Sequence, residues 1–403
     1  MTPHFRVLIL SLIMSLYLIL AVYNEKKMCF VSLNVIIANK MSHLVSLGGV
    51  ACTTKTTILK RINEMYNENI IVHLEDYKEL NDKYQFDSRV GSLLYAGYRC
   101  KNNEKYKYDF DNVHIFDRQP MESLIYATIK DDIDETDSLN IFESCRKMDL
   151  HSNWMSFILT TAENTENHLV KMMKKRDNKL DDYTAHYVKE QNTKYKLWNS
   201  VFGDEEIVID WREDIVQQQN DIIKIIDNKI FHNWHYNDNG LLIYDYKLPL
   251  IKNKIAGFDL DGTLICTKSG NAFSKNHSDW KLKYLDIREK FVKLLKKDYC
   301  IVVMTNELGL SGNSADLKRK IENVCKEINV PMLVLISSTM NKYRKPCTGM
   351  FEYLQQNRQK HIDIKNTFYC GDNANGTLNT DSVFAKALGI KFYYDFDYFT
   401  MES

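Results

Sequence analysis

The sequence lacks three features that would reveal a function by themselves: a net charge, a cysteine framework and an internal repeat. Its 403 residues contain 53 Lys and Arg against 53 Asp and Glu. No long-range field therefore draws the protein to nucleic acid, and a polyanion has to be bound by a local patch. Nine cysteines are scattered without a CxxC pair, which favours reduced thiols in an intracellular protein over disulfides or a structural metal site. A DNA substrate is compatible with this balance.

An apolar fraction of 44% over this length is enough for the cores of two or three domains. Residues 1–40 stand apart as a hydrophobic leader, because FRVLILSLIMSLYLILAVY at 5–23 is nearly free of charge and long enough to cross about 30 Å of hydrocarbon. Two interpretations stay open: the run is a membrane anchor, or translation starts at Met28 or Met41 and the leader is not made. We expect the fold not to need the leader. The protein is expected to be cytoplasmic or nuclear, and membrane-anchored only if the run is used.

A strand, a Gly-Gly turn, a Thr-rich loop and a helix follow in MSHLVSLGGVACTTKTTILKRINEMY, residues 41–66. This order is typical of a phosphate-binding loop of the G-x-x-x-x-G-K-[ST] type, which holds ATP and Mg²⁺ with backbone amides, a lysine and a hydroxyl. Gly49, Lys55 and Thr56 occupy the pattern positions, so we expect them to bind the nucleotide. Thr54 stands where the pattern has glycine, which predicts a reshaped loop or weaker binding. The alternative is a Thr-rich turn that binds nothing.

Two later apolar segments end in acidic residues, NIIVHLEDY at 69–77 and NVHIFDRQP at 112–120. Each is predicted to be a strand. Acids are expected at the carboxyl edge of a parallel sheet, where functional sites gather. The first half of the chain is therefore predicted to be a P-loop α/β domain with its site at this edge.

With FDRQPMESLIYATI added to these motifs, residues 41 to about 215 resemble the deoxynucleoside kinases, the viral thymidine kinases and the thymidylate kinases. The resemblance implies that Asp117 and Arg118 bind a nucleoside or nucleotide substrate, although an Asp-Arg pair is also common as a surface ion pair. It further implies that Glu75 accepts the proton of the attacking hydroxyl and that Arg176, in a basic lid, stabilises the transferred phosphate.

The second half opens with KIAGFDLDGTLICT at 254–267, an apolar strand that ends in two acids. Asp259, just beyond the strand, is placed to attack phosphorus, and Asp261 on the same side can protonate the leaving oxygen and then activate water. Two carboxylates would repel a phosphate, so the site needs a cation such as Mg²⁺. Later strand ends supply Thr305 to hydrogen-bond the phosphoryl group, Lys345 to neutralise it and Asp372 to complete the metal site.

These four spaced motifs resemble the haloacid-dehalogenase phosphatases. The segments AGFDLDGTLICTKSG, VVMTNELGL, YRKPCTGMFEYL and FYCGDNANG resemble more narrowly the DNA 3′-phosphatase domain of polynucleotide kinase 3′-phosphatase, over residues 254–399. The resemblance implies that Asp259 is the nucleophile, that Asp261 is the acid/base and that Asp259, Asp372 and the main-chain carbonyl of Asp261 hold Mg²⁺. Asp381 would be a further acid near the metal. Glu307 stands where family members commonly have Gln.

Strands and helices alternate in both halves, which predicts an α/β protein with two parallel-sheet domains. We expect a P-loop kinase-like domain at 41–245 and a haloacid-dehalogenase-type phosphatase domain at 246–403. The expected function is a Mg²⁺-dependent DNA 3′-phosphatase fused to an ATP-dependent deoxynucleoside or thymidylate kinase. The alternatives are a polynucleotide 5′-kinase that heals DNA ends, and a degenerate kinase fold kept as a binding scaffold. DNA 3′ ends and a nucleoside or nucleotide are the expected partners, and the sequence does not define the oligomeric state.

Overall fold

Two β-sheets, each flanked by helices, organise the chain. In both, the strands that end in acidic residues run to one carboxyl edge, as the sequence predicts. The computed structural model describes residues 44–400, apart from 75–76, 88–89, 107, 151–153, 238–239, 272–273, 308–313 and 373–378. The α/β fold class with a P-loop-type sheet followed by a haloacid-dehalogenase-type sheet is confirmed by the topology below.

The first sheet has five parallel strands in the order β2-β3-β1-β4-β5. Its strands are β1 (Leu44–Gly49), β2 (Ile70–His73), β3 (Val113–Asp117), β4 (Trp154–Thr161) and β5 (Glu205–Ile209). The helices of this half are α1 (Lys55–Met65), α2 (Tyr77–Tyr84), α3 (Gly91–Asn103), α4 (Ser123–Lys130), α5 (Glu135–Lys147), α6 (Glu166–Arg176), α7 (Ala185–Phe202) and α8 (Ile215–Phe231). Strand β1 lies at the centre and all six of its residues are buried.

Both faces of the first sheet are covered, as expected for parallel strands. Along β4, Phe157 and Leu159 enter the core shared with α1 and α8, whereas Ile158 enters the core shared with α5 and α7. Side chains of β4 therefore alternate between two apolar cores, which is why Phe157, Ile158 and Leu159 form a continuous apolar run at its centre.

The second sheet has seven strands in the order β14-β13-β8-β11-β12-β7-β6. Its strands are β6 (Asn233–Asn237), β7 (Leu241–Tyr246), β8 (Lys254–Phe258), β11 (Tyr299–Asn306), β12 (Met332–Ser337), β13 (Phe368–Gly371) and β14 (Lys391–Tyr394), and β9 (Ile265–Cys266) with β10 (Lys281–Leu282) forms a small separate ribbon. The helices are α9 (Ile287–Lys296), α10 (Ser314–Ile328), α11 (Gly349–Asn357), α12 (Thr380–Leu388) and α13 (Asp395–Thr400). Strand β8, which leads to the two acids, lies between β13 and β11 and is parallel to both.

The domain boundary that we expected between residues 245 and 246 falls inside β7, a strand of the second sheet. Strands β6 and β7 pair antiparallel with each other, and β7 pairs antiparallel with β12. Both strands therefore belong to the second sheet. The second sheet begins at Asn233, directly after α8, and not at residue 246 as we expected.

The two halves share part of a core. Phe110, on the loop before β3, is 5% exposed and belongs to the apolar cluster of the second sheet. Lys247 is fully buried beside it and donates hydrogen bonds to the main-chain oxygen of Asp111 and to Asn329 Oδ1, both at 2.5 Å. Arg288 of α9 pairs with the Asp111 carboxylate. The halves are thus held by buried contacts as well as by the chain.

The structure corrects the expectation of a membrane anchor. No helix in the described part of the chain is both long enough and apolar enough to cross a bilayer. The apolar run at residues 5–23, on which that expectation depended, lies outside the described residues.

Candidate active sites

The first site lies at the carboxyl end of β8, where Asp259 begins the turn. The Asp259 amide donates to the main-chain oxygen of Cys370 at 2.9 Å, which holds the turn against the end of β13. The Asp259 side chain is buried, and its Oδ2 accepts from Thr263 Oγ1 at 3.4 Å. The nucleophile expected from the sequence is therefore fixed at the centre of the sheet edge.

Lys345 reaches this carboxylate from the loop after β12. Its ammonium group donates to Asp259 Oδ1 at 2.5 Å and to the Tyr369 hydroxyl at 2.8 Å, and it pairs with Asp381 at 2.8 Å. Its backbone is tied to the end of β11, because the Lys345 amide donates to Asn306 Oδ1 at 2.9 Å and the Lys345 oxygen accepts from Asn306 Nδ2 at 3.0 Å. Thr305, 1% exposed, precedes Asn306 on β11, the strand next to β8.

Three carboxylates converge beside Lys345. Oxygen atoms of Asp259, Asp372 and Asp381 lie within 4.8 Å of one another. Two glycines make this approach feasible: a Cβ at Gly262 would lie 2.1 Å from Asp372 Oδ2, and one at Gly371 would lie 2.4 Å from Asp381 Oδ2. One lysine cannot neutralise three carboxylates, and carboxylate oxygen is the ligand type that Mg²⁺ prefers. The donor set therefore fits a divalent cation.

Electrostatics in this cluster follow from burial. Burial raises the pKa of Asp259 to about 7, the Lys345 ammonium opposes that rise, and the carboxylates of Asp381 and Asp372 add to it. An anionic Asp259, which nucleophilic attack requires, therefore depends on positive charge at the cluster.

Asp261 is held apart from this cluster by a residue that we did not predict. Lys320 of α10 donates to both oxygens of Asp261 at 2.9 Å and to Glu307 Oε1 at 2.6 Å. Lys320 is 1% exposed and Glu307 is 6% exposed. Burial raises the pKa of Glu307 to about 8, and the contact with Asp261 adds to this rise. The signal was present in the sequence, because Lys320 falls on the apolar face of α10, in register with Leu317, Ile321 and Val324.

The second site lies at the carboxyl end of β1, in the predicted phosphate-binding loop. Gly49 has φ +112°, and a Cβ there would lie 2.1 Å from the main-chain oxygen of Leu159. Glycine is therefore required at position 49, because the backbone of β4 approaches it closely. Cys52 and Thr54 also have positive φ, 62° and 61°, which is unfavourable for side chains other than glycine. The loop backbone keeps the left-handed turn that the pattern glycine would give, at the cost of strain.

Lys55, the first residue of α1, folds back onto the loop. Its ammonium group donates to the main-chain oxygens of Gly49 at 3.2 Å and Val50 at 2.5 Å and to Thr53 Oγ1 at 3.1 Å. Lys55 is 5% exposed, and burial, together with the nearby charge of Arg118, lowers the pKa of its ammonium group to about 7. Thr56 is exposed, and its hydroxyl donates to Asp117 Oδ2 at 3.4 Å.

Asp117 and Arg118 meet the loop as the motif order predicts. The Arg118 guanidinium donates to the Gly49 oxygen at 3.1 Å and to the Tyr126 hydroxyl at 2.8 Å, so it is more than a surface ion pair. Arg176 ends α6, pairs with Asp181 and is close enough for its charge to act on the Cys52 thiol, whose pKa burial raises. Glu75 lies outside the described residues.

The fold and the first site together define a haloacid-dehalogenase-type phosphatase domain that follows a P-loop kinase-type domain. Residues 254–399 match the sequence model of the family described as Polynucleotide kinase 3 phosphatase. A 33.9 kDa protein of Lymantria dispar multicapsid nuclear polyhedrosis virus is 38% identical over 53% of this chain and 73% of its own length. The chain belongs to the family of this viral protein, and its resemblance to the polynucleotide 3′-phosphatases is confirmed.

Other proteins are similar to part of this chain. The bifunctional polynucleotide phosphatase/kinase of Schizosaccharomyces pombe is 34% identical over 41% of this chain, which spans only 42% of the yeast protein. Among solved structures, deoxyadenosine kinase from M. mycoides with bound dATP has a TM-score of 0.33, 19% identity and coverage of 46% of this chain and 99% of its own. A HAD-like phosphatase from Mesorhizobium loti has a TM-score of 0.32, 17% identity and coverage of 38% and 78%.

Proposed function

We propose that the second half of the chain is a Mg²⁺-dependent polynucleotide 3′-phosphatase. The observation that supports it is the buried group of Asp259, Asp372, Asp381 and Lys345 inside a polynucleotide kinase 3 phosphatase domain. An Oδ atom of Asp259 attacks phosphorus, and the bond from phosphorus to the 3′ oxygen breaks. Asp261 gives its proton to that oxygen and then takes one from the water that hydrolyses the aspartyl-phosphate.

The remaining residues of the site compensate charge. Lys345 offsets the negative charge of the phosphoryl group, and Thr305 donates a hydrogen bond to it. Asp259, Asp372 and the main-chain carbonyl of Asp261 would hold the Mg²⁺ ion, with Asp381 beside them. When bound, the ion supplies the positive charge that lets acids and phosphate share one site.

The test is the replacement of Asp259 by asparagine in the full chain. Asp259→Asn keeps the shape of the side chain and removes the nucleophile, so release of phosphate from a 3′-phosphorylated oligonucleotide should fall by more than about 1,000-fold. Asp397→Asn, on the exposed side of α13, is the matched control and should leave the rate unchanged. Activity near the unmodified level in Asp259→Asn, or full activity in a chelator, would refute the assignment.

We further propose that the first half transfers a phosphoryl group from ATP to a nucleoside or nucleotide. Lys55, Thr56, Asp117 and Arg118 gather at one sheet edge, as such transfer requires. Glu75 as the base and Arg176 as a lid residue stay predictions. A 5′-hydroxyl end of a polynucleotide is the second candidate acceptor, favoured by the name of the yeast relative. The scaffold alternative is favoured by the strained loop and the buried Lys55.

Transfer of radiolabelled phosphate from ATP to thymidine, thymidylate and a 5′-hydroxyl oligonucleotide separates these candidates. Lys55→Met should lower transfer by about 100-fold or more and leave the phosphatase unaffected, because the two sites lie on different sheets. Lys60→Met, exposed on the same helix, is the control. An unmodified protein that binds no nucleotide would favour the scaffold.

The boundary between the two domains also lies earlier in the chain than the expected residue 246. Since β6 and β7 complete the second sheet, we propose that the phosphatase domain begins at about residue 232 and the kinase-like domain ends with α8.

A further inference from the structure

Asp261 has a different environment from the other acids of the phosphatase site. Asp259, Asp372 and Asp381 face one another, whereas both oxygens of the Asp261 carboxylate contact Lys320 at 2.9 Å. The side chain of Asp261 is 29% exposed, against 10% for Asp259.

Lys320 occupies a position where a lysine is costly. It lies on the buried face of α10, whose other members are Leu317, Ile321, Val324, Cys325 and Ile328. A buried ion pair is often no more stable than an apolar side chain of similar volume, because both ions lose their water. Packing alone therefore gives no reason for a lysine at this place.

Glu307 holds the Lys320 side chain in place. Its Oε1 accepts from Lys320 Nζ at 2.6 Å, and its amide donates to the main-chain oxygen of Ser337 at 2.9 Å, which ties Glu307 to the end of β12. Lys320 therefore bridges Glu307 and Asp261, whose carboxyl groups also contact each other. A contact to both oxygens of Asp261 restricts rotation of that side chain.

On the basis of the phosphatase function proposed above, we propose that Lys320, anchored by Glu307, is the positioning residue of Asp261 and aims its carboxyl group at the leaving 3′ oxygen. The two buried lysines of the site then have separate tasks. Lys345 contacts the nucleophile Asp259, and Lys320 contacts the acid/base Asp261. Loss of Lys320 should impair the steps in which a proton moves and spare the attack on phosphorus.

The test compares two leaving groups in rapid-mixing kinetics with Lys320→Met in the full chain. A 3′-phosphorylated oligonucleotide needs protonation of its leaving oxygen, whereas 4-nitrophenyl phosphate releases a stable phenolate without it. The single-turnover rate on the oligonucleotide should fall by about 100-fold, the scale of general acid catalysis. The rate of the first nitrophenolate burst should stay near that of the unmodified protein, while its later turnover slows. Lys326→Met, exposed on the same helix, should change neither rate.

The control for folding is a second variant that combines Lys320→Met with Glu307→Gln. The second change removes the buried Glu307 carboxylate, which has lost its lysine. The double variant should unfold at the temperature of the unmodified protein and still show the split between the two substrates. Equal losses on both substrates in a folded variant would overturn the positioning role. If the unmodified protein released phosphate from neither substrate, the proposed phosphatase itself would be refuted, and the role of Lys320 with it.

Discussion

At the scale of single residues, the turns after β8 and after β1 both need a residue with positive φ, and they differ in which residue supplies it. The turn after β8 places glycine, Gly262, at φ 86°. The turn after β1 places Thr54 at φ 61°, a conformation that costs an L-residue roughly 1–2 kcal/mol. The turn after β8 is therefore relaxed, and the turn after β1 is strained.

Gly262→Ala should lose the phosphatase activity. Its new Cβ would lie 2.1 Å from Asp372 Oδ2 and push that carboxylate out of the cluster. Gly270→Ala is a matched control, because Gly270 also has positive φ, 74°, and open space around it. Both changes should cost about 1–2 kcal/mol of unfolding free energy, measured by urea denaturation, but only Gly262→Ala should lose Mg²⁺-dependent phosphate release. Equal activities would show that Asp372 tolerates the displacement.

Thr54→Gly should stabilise the protein by about 1 kcal/mol, because glycine accepts positive φ without strain. The same substitution at Thr57, three residues later and inside α1, should instead destabilise by about 0.5 kcal/mol. Thr54→Gly should also tighten ATP binding, measured by calorimetry, if strain limits the loop. Destabilisation at position 54 would mean that the Thr54 side chain contributes more than its backbone costs.

At the scale of secondary-structure elements, a chain of hydrogen bonds links β2 and β3. His114 Nε2 lies 3.1 Å from Asp109 Oδ2, its Nδ1 lies 2.9 Å from His73 Nε2, and His73 Nδ1 lies 3.4 Å from the Tyr106 hydroxyl. With both rings neutral, each of these contacts has one proton. Burial lowers the pKa of His73 to about 4 and also lowers the pKa of His114.

The sign of the resulting pH dependence follows from linkage. Between the unfolded pKa of about 6.5 and the folded value, the unfolded chain binds more protons. The stabilisation is therefore complete above about pH 6.5 and is lost as the pH falls toward 4, by up to about 1.4 kcal/mol per pH unit and proton. His73→Phe, which keeps the ring stacked on Phe116, should flatten this slope in urea denaturation at pH 7.5 and 5. His168→Gln, at an exposed position, should not, and an unchanged slope in His73→Phe would contradict the assignment.

The sequence predicted the parallel strands and the acids at their ends, because both depend on local patterns: apolar runs, a Gly turn and the two-residue spacing of Asp259 and Asp261. It did not predict that β6 and β7 are strands, since Asn, Asp and Gly mark a hairpin turn as readily as a domain linker. It did not reveal Lys320 either. The task of a buried lysine depends on which carboxylates the fold brings to it, and Glu307 comes from another strand end.

At the scale of the whole molecule, the loop before β3 joins the two halves. Phe110 is buried in the core of the second sheet, and Lys247 and Arg288 of that half both contact Asp111. Burial of one aromatic ring contributes several kcal/mol, so the two halves should unfold together.

Phe110→Ala should cost about 3–5 kcal/mol and split one cooperative transition into two in differential scanning calorimetry. Tyr108→Ala is the control, since Tyr108 lies on the same loop and is 53% exposed. A single transition that persists in Phe110→Ala would show that the halves are coupled elsewhere.

A protein beginning at residue 232 should be more soluble than one beginning at 246. The shorter form removes β6 and β7 and exposes the edge of β12, which invites aggregation. Soluble yield and phosphate release of the two forms measure this difference. Equal yields would mean that β12 is protected without the hairpin.

The shared core at Phe110 also has an evolutionary consequence. A gene fusion that first joined two independent domains can be reversed by one recombination event, but only while each domain is complete. Once a ring from one half fills the interior of the other, separation leaves a cavity in the second half, which lowers its stability until another side chain fills it. The union of the two halves is therefore easier to gain than to lose.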